Sequence, residues 1–259
     1  MVQEARMALD MEPNKESVRI QDEMKSEKKS RLALYSDLIV GKRGLFALLK
    51  YELINFLCFS VPGALGLVMR KSLYPKLLKK CGSNVVFGTR VLLRHPNKIE
   101  IGDNVIIDDN CLLDAKGPSN TGIVIGDGVF LGRNSILSCK NGDIVLGKNV
   151  NIGFNSEVFS GSKVTLGDNV LVAAYCYVIG GDHDSDDSGV SVAEQGRTSR
   201  GITIGSGSWL GAGVKVLDGV KVGGDTILGA GAVVNKDVPD SVVSAGVPAK
   251  VIRKRAEKE

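Results

Sequence analysis

The sequence predicts a mainly β protein: a three-sided solenoid of short parallel strands, preceded by an α-helical region. Two observations carry that expectation. From residue 85 onward, an aliphatic residue followed by Gly or another small residue recurs every six positions. The chain also holds 32 Gly and only 5% aromatic residues beside 43% hydrophobic ones. A core built from such material is narrow, repetitive and made of Val, Ile and Leu rather than rings.

The repeat is read directly off the chain. Ile125-Gly126 is followed by Leu131-Gly132, Leu146-Gly147 by Ile152-Gly153, Ile204-Gly205 by Leu210-Gly211, and Val222-Gly223 by Leu228-Gly229 and then Val234. Weaker units, such as Ile101-Gly102, Ile107-Asp108, Leu166-Gly167 and Val172-Ala173, link them. A period of six fits neither the 3.6 of a helix nor the 2 of a hairpin array. It fits a short strand plus a bend, three of which close one triangular coil. Each aliphatic side chain then points inward and stacks on its equivalent one coil away, about 4.8 Å along the axis. The small residue after it lets the backbone bend without a Cβ clash. Parallel neighbours satisfy one another's backbone groups, so a thin core suffices.

The domain order follows from departures from this pattern. Residues 1–30 mix both charge signs with few large apolar groups and read as a charged flexible tail. Residues 31–84 form a basic, apolar, helical region. The β-helix is expected over 85–252, and 253–259 form a basic C-terminal tail. The repeat breaks off at length once, at 180–201 (GGDHDSDDSGVSVAEQGRTSRG), a loop expelled from the coil path that carries His183. Such a loop marks the working face of a repeat protein. After Val238 the pattern stops at Pro239.

Within the helical region, residues 41–80 carry eight basic residues against one acid, Glu52, around an uncharged stretch at 53–69. Seventeen residues broken by Pro62-Gly63 fall short of a membrane span. Two readings stand: a helical cap over the open end of the solenoid, or an anchor lying on an anionic membrane surface. They are compatible. The opening residues show no signal-peptide pattern, so the expected location is cytoplasmic, free or held peripherally on the inner face of the membrane.

Other classes are excluded by composition. A net charge of +4, dispersed, does not make a nucleic-acid surface. The five cysteines, Cys58, Cys81, Cys111, Cys139 and Cys176, form no CxxC pair, and their number is odd, so neither a disulfide framework nor a redox pair is expected. Cys111, Cys139 and Cys176 lie among alternating aliphatics and read as small core residues.

The stretches ITIGSGSWLGAGVKV and ILGAGAVVNKDVPDSVVSAGVPAKVIR, with GDHD in the expelled loop, resemble the hexapeptide-repeat acyltransferases, most of all the galactoside, maltose and polysaccharide O-acetyltransferases. The resemblance covers residues 85–253, about two thirds of the chain. It implies that the β-helix is left-handed, that three copies form a homotrimer with sites between neighbours, and that the co-substrate is acetyl-coenzyme A or a related thioester, with no metal. It matches His183 to the catalytic histidine, Trp209 to a residue bordering the site, and Ala212 and Ala230 to backbone positions along the pantetheine arm. Lys236, Lys250 and Arg253 fall where cations meet the coenzyme's phosphates, and Asn155 near a residue that contacts the acceptor. The zinc-dependent carbonic anhydrases of this fold hold their metal with three histidines. This chain has two, His95 and His183.

The chemistry implied is acyl transfer to a hydroxyl of a saccharide, glycan or lipid-linked precursor, without an acyl-enzyme. Neutral imidazole suits removal of the acceptor's proton, and Asp182, Asp184 or a backbone carbonyl would fix its tautomer. Alternatives are N-acylation of an amino sugar, an acyl carrier protein as donor, or a non-catalytic scaffold. His95, just before the first clear repeat, reads as structural. The acidic loop (Asp182, Asp184, Asp186, Asp187) departs from the sugar enzymes' pattern, which leaves the acceptor open.

Overall fold

The computed structural model describes residues 30–255. Apart from Ser30, the expected charged tail lies outside the described residues, as do positions 256–259 of the basic C-terminal tail.

Three parallel sheets form the three faces of a β-helix. The chain visits them in strict rotation. Ile123–Ile125, for example, lies on the first face, Phe130–Leu131 on the second and Ile136–Cys139 on the third; Ile144–Leu146 then returns to the first, in register with Ile123–Ile125. The aliphatic hexapeptide positions make three inward columns. Ile101, Ile125, Leu146, Leu166, Ile204 and Val222 stack on the first face, and Ile107, Leu131, Ile152, Val172, Leu210 and Leu228 on the second. All are buried, with Cys111, Cys139 and Cys176 packed among them as free thiols.

The bend has its own grammar. Two residues after the small one, the backbone turns left-handed, and this position is Asn or Gly in nearly every repeat: Asn104, Asn134, Asn149, Asn155, Asn169, Gly207, Gly213 and Gly231 all have φ between 54° and 72°. Asn tolerates that region better than other residues with a Cβ, and its short amide bonds locally. The asparagines also bond along the axis: Asn134 Nδ2 donates to Asn155 Oδ1 at 2.9 Å, and Asn149 Nδ2 to Asn169 Oδ1 at 3.1 Å.

The first coil begins earlier than expected. Lys80–Cys81 already pairs with Glu100–Ile101, because Cys81-Gly82-Ser83-Asn84 is a repeat in which Cys stands in for the aliphatic residue. The upper end also extends beyond Val238. Val242–Ala245 stacks on the strand Ile227–Leu228, and Lys250–Lys254 folds back antiparallel on it. Val242 and Ser244 point inward without a following glycine, so the hexapeptide pattern missed this strand.

The lower end is covered by helices. After α1 (Arg31–Tyr35) and one wider turn (Ser36–Val40), α2 (Leu45–Cys58) and α3 (Gly63–Leu73) pack over the first coil. Its carbonyls, which have no strand below them, receive side-chain donors instead. Tyr51 Oη donates to the Leu93 carbonyl at 2.8 Å, Tyr74 Oη to Val91 at 3.0 Å, and Arg70 Nε to Phe87 at 2.9 Å. Arg70 is fully buried and also reaches the Cys58 and Val61 carbonyls. The inner side of this region is thus bonded to the first coil. The outer side is apolar and open: Phe46 and Phe56 are 81% and 84% exposed, and Leu45, Leu49, Leu53, Leu65 and Val68 join them.

Candidate active site

The expelled loop leaves the prism at the edge between the third and first faces, after Tyr177–Gly180, and returns at Ile202–Ile204. Its base is an antiparallel ribbon in which Asp182 pairs with Thr198 and His183 with Arg197. Ser199 anchors the ribbon by donating from Oγ to the Gly180 carbonyl at 2.8 Å, and the backbone N–H groups of Arg200 and Gly201 donate to Asp218. Towards the tip, Gln195 ties the loop to itself. It accepts from the Asp187 N–H and donates to the Asp187 and Val190 carbonyls.

The ribbon overhangs a pocket of about 350 Å³, floored by Phe159, Tyr177 and Ile179 of the third face and rimmed by His183, Arg197 and Lys140. Burial, followed by the nearby Glu157 charge, raises the Tyr177 phenol above its usual range. His183 is exposed, and its ring makes no hydrogen bond among the described residues. Asp182 does not orient that ring: its Oδ1 accepts the His183 backbone N–H at 2.8 Å. The Asp184 backbone N–H donates to the Gly196 carbonyl, which holds the two sides of the ribbon together.

The other residues named from sequence divide between two edges of the third face. Asn155, Ala212 and Ala230 lie on the edge it shares with the second face, where the chain turns left-handed. Gly231 N–H donates to the Ala212 carbonyl, so these two repeats stack directly. Along this edge the residue after each glycine shrinks from Arg133 and Phe154 to Ala212 and Ala230. The lower part is a filled ladder, with the Arg133 guanidinium 5.1 Å from the Phe154 ring centre and Phe154 edge-on to Tyr175; the upper part is a bare shelf. Asn155 accepts from Asn134 in the axial ladder, which accounts for its presence on structural grounds. Trp209 projects from the second face, half-exposed, between Leu171 and Ile227.

Lys236 lies on the other edge, two coils beyond Gly180 in register. Lys250 and Arg253 are exposed on the last strand. Within one chain His183 and the alanine shelf are thus separated by the width of the third face, roughly 20 Å for about seven extended residues.

His95 is structural. It is buried, with Nδ1 3.3 Å from Asp114 Oδ1 and Nε2 2.9 Å from the Asp37 carbonyl, and it links the helical cap to the prism. Sequence reasoning missed Arg197, Lys140, Phe159 and Tyr177. The first is brought to His183 by strand pairing across a long loop, and the others by stacking of coils about 20 residues apart; neither leaves a local motif. No cluster of three or more metal-ligating side chains occurs among the described residues.

Comparison with known proteins places this geometry in a family. Residues 201–236 match the bacterial transferase hexapeptide (six repeats), and residues 143–179 match the hexapeptide repeat of succinyl-transferase. WbbJ of Escherichia coli (strain K12), named for O-acetyl transfer in lipopolysaccharide biosynthesis, is 31% identical over 156 residues, 58% of this chain and 78% of that protein. The chain belongs to the hexapeptide-repeat acyltransferases. Galactoside O-acetyltransferase of the same organism is 38% identical over 112 residues, 43% of this chain and 54% of that enzyme. Indeed, the chain spans about half the length of the first curated relatives it matches. Among solved structures, AntD, an N-acyltransferase from Bacillus cereus in complex with dTDP and 3-hydroxybutyryl-CoA, shares the fold: TM-score 0.52 at 19% identity, over 76% of this chain and 91% of that one. Within this hexapeptide-repeat framework the loop bearing His183 is the longest departure from the coil.

Proposed function

We propose that this chain transfers an acyl group, acetyl in the first instance, from coenzyme A to a hydroxyl of a saccharide acceptor. The observation that carries the reading is His183, held on a ribbon at the rim of a pocket in a member of an acyltransferase family. As the acceptor oxygen attacks the thioester carbonyl, the imidazole takes its proton, and the coenzyme thiolate leaves with that proton. Backbone N–H groups on the adjoining edge would steady the developing oxyanion.

The shelf at Ala212 and Ala230 suits a thin pantetheine arm, because side chains there end at Cβ and the main chain is approachable. Lys236, Lys250 and Arg253 supply cations for the coenzyme's phosphates. With His183 and the shelf on opposite edges, a complete site needs a second copy, which a homotrimer of prisms packed side by side would supply. The outer face of α2 and α3, apolar and exposed within a basic stretch of the sequence, supports peripheral contact with an anionic membrane. No helix among the described residues is long and apolar enough to cross one.

The test is release of free thiol from acetyl-coenzyme A across a panel of saccharides. His183→Ala should lower transfer by a factor of about 10² to 10⁴ with an unchanged melting temperature. Equal turnover by both proteins removes His183 as the base.

A further inference from the structure

Beside the His183 pocket lies a second cavity of about 490 Å³ on the same edge of the prism, and Lys140 and Asn141 line both. This cavity runs down the edge towards the helical cap, past Lys116, Asp114, His95 and Asp37.

The register explains the arrangement. The strand Leu112–Asp114 lies on Ile136–Cys139, which lies on Glu157–Ser160, which lies on Tyr177–Gly180. Continued just past the strand ends, this register aligns Lys116, Lys140, Gly161 and Gly181 along the edge, rising about 4.8 Å per coil. Two lysines are followed by two positions with no side chain, and His183 and Arg197 overhang the cleared space.

The acids around these cavities are already engaged. Asp182 accepts the His183 N–H, Asp114 lies against Arg94 and His95, and Asp37 is paired with Arg43 at 2.7 Å. Lys98 is likewise occupied, donating to the Gly117 carbonyl and to Asn120. Lys116, Lys140 and Arg197 have no ion-pair partner among the described residues. All three are half-buried, so three positive charges lie beside the base with no carboxylate in ion-pair contact. Burial, with like charge from Arg197 and then Lys116 added, pushes the Lys140 ammonium below the usual lysine range. A bound anion would reverse that strain.

We propose that Lys116, Lys140 and Arg197 form an anion subsite for a phosphorylated saccharide acceptor, its phosphate or diphosphate lying on the lysines and its hydroxyl reaching His183. This rests on the acyl-transfer reading and deepens it. Three cations without ion-pair partners match a dianion better than a single carboxylate. The phosphate comes either from a soluble sugar phosphate or from a lipid-linked one, whose tail would run towards the apolar helices.

The full-length protein is titrated by calorimetry with inorganic pyrophosphate, glucose 1-phosphate, glucuronate and glucose. Wild type is compared with Lys140→Met, Lys140→Arg, Arg197→Met and, as a control on a distant edge, Lys148→Met. Glucose 1-phosphate and pyrophosphate should bind, glucuronate more weakly and glucose not measurably. Lys140→Met and Arg197→Met should each weaken pyrophosphate about tenfold, as for loss of one charge-assisted contact. Lys140→Arg and Lys148→Met should leave it within about twofold. His183→Ala should bind pyrophosphate normally, so loss of turnover and loss of anion binding report separately on the two readings. Vesicles bearing a polyprenyl phosphate sugar, set against the free sugar phosphate, distinguish the two sources. Equal binding by wild type and Lys140→Met overturns the subsite, as does equal affinity for glucuronate. If Lys140→Met weakens acetyl-coenzyme A as much as it weakens pyrophosphate, the cluster serves the donor and the acceptor assignment falls.

Discussion

Individual side chains in this molecule are chosen by the backbone conformation they must tolerate. At the corner after Leu146-Gly147-Lys148 the chain turns through φ 55° at Asn149, where a β-branched residue is strained. Asn149→Val should therefore cost about 1–3 kcal/mol in urea denaturation, more than the same change at exposed Leu171. Burial governs the thiols in a similar way. It raises Cys111 to about 11 and Cys139 to about 12, so both stay protonated near neutrality and make poor nucleophiles. Iodoacetamide at about pH 8 should leave them unmodified in the folded protein while reacting first at Cys81, which mass spectrometry of tryptic peptides would show; rapid alkylation of Cys139 would contradict the buried core. The thiols' place was legible in advance, because alternation marks inward positions; the asparagine corners were not, since the repeat was read from its aliphatic and small residues alone. Arg197 was not legible, since its place opposite His183 depends on how a long loop folds back.

Among the elements, the helical cap and the third face each carry a distinct vulnerability. Replacing Tyr74 by Phe keeps the ring against Phe87, at 5.4 Å between centroids, but strands the buried Val91 carbonyl. A loss of about 1–3 kcal/mol is expected, read from the shift in urea midpoint at constant m-value. On the third face, burial raises the Glu157 carboxyl above its usual range. The group thus holds its proton to higher pH folded than unfolded. Its contribution is complete below the unfolded value and is lost as pH rises through the folded one. Glu157→Gln should consequently gain melting temperature over wild type at about pH 7 and show little difference at about pH 4; the opposite order would mean that a cation neutralises Glu157. The sequence announced a helical region here but not its chemistry. That Arg70 and two tyrosines would serve as donors to an open sheet end depends on tertiary placement, which leaves no period in the chain.

For the whole molecule, the separation of His183 from the alanine shelf makes a specific demand. If each site is shared, two defective chains should complement one another. Co-expression of His183→Ala with Ala230→Trp should restore thiol release that neither variant gives alone, and purified mixtures of separately assembled proteins should not. Failure of rescue in verified mixed oligomers would mean that each chain works by itself. The trimer was an expectation from resemblance, as were the roles of the two positions that this complementation separates. The cation cluster proposed to read the acceptor was not legible at all, because Lys116, Lys140 and Arg197 come from three different coils.

The coils are unequal in length, and always at the same place. Thr203 and Lys221 are paired partners 18 residues apart, the minimum for three hexapeptides, whereas Ile101 and Ile125 are 24 apart and Val164 and Ile202 are 38 apart. The surplus emerges where the third face meets the first, as Gly117–Thr121, Asn141–Asp143 and the His183 loop. The other two edges are metered by stacked asparagines and glycines that admit no extra residue. A foreign peptide spliced in after Ser119 should therefore be carried without disturbing the ladder, whereas the same insert after Gly147 should unfold the prism. Length variation among natural versions of this protein has, on the same physics, one seam through which to enter, and that seam carries His183.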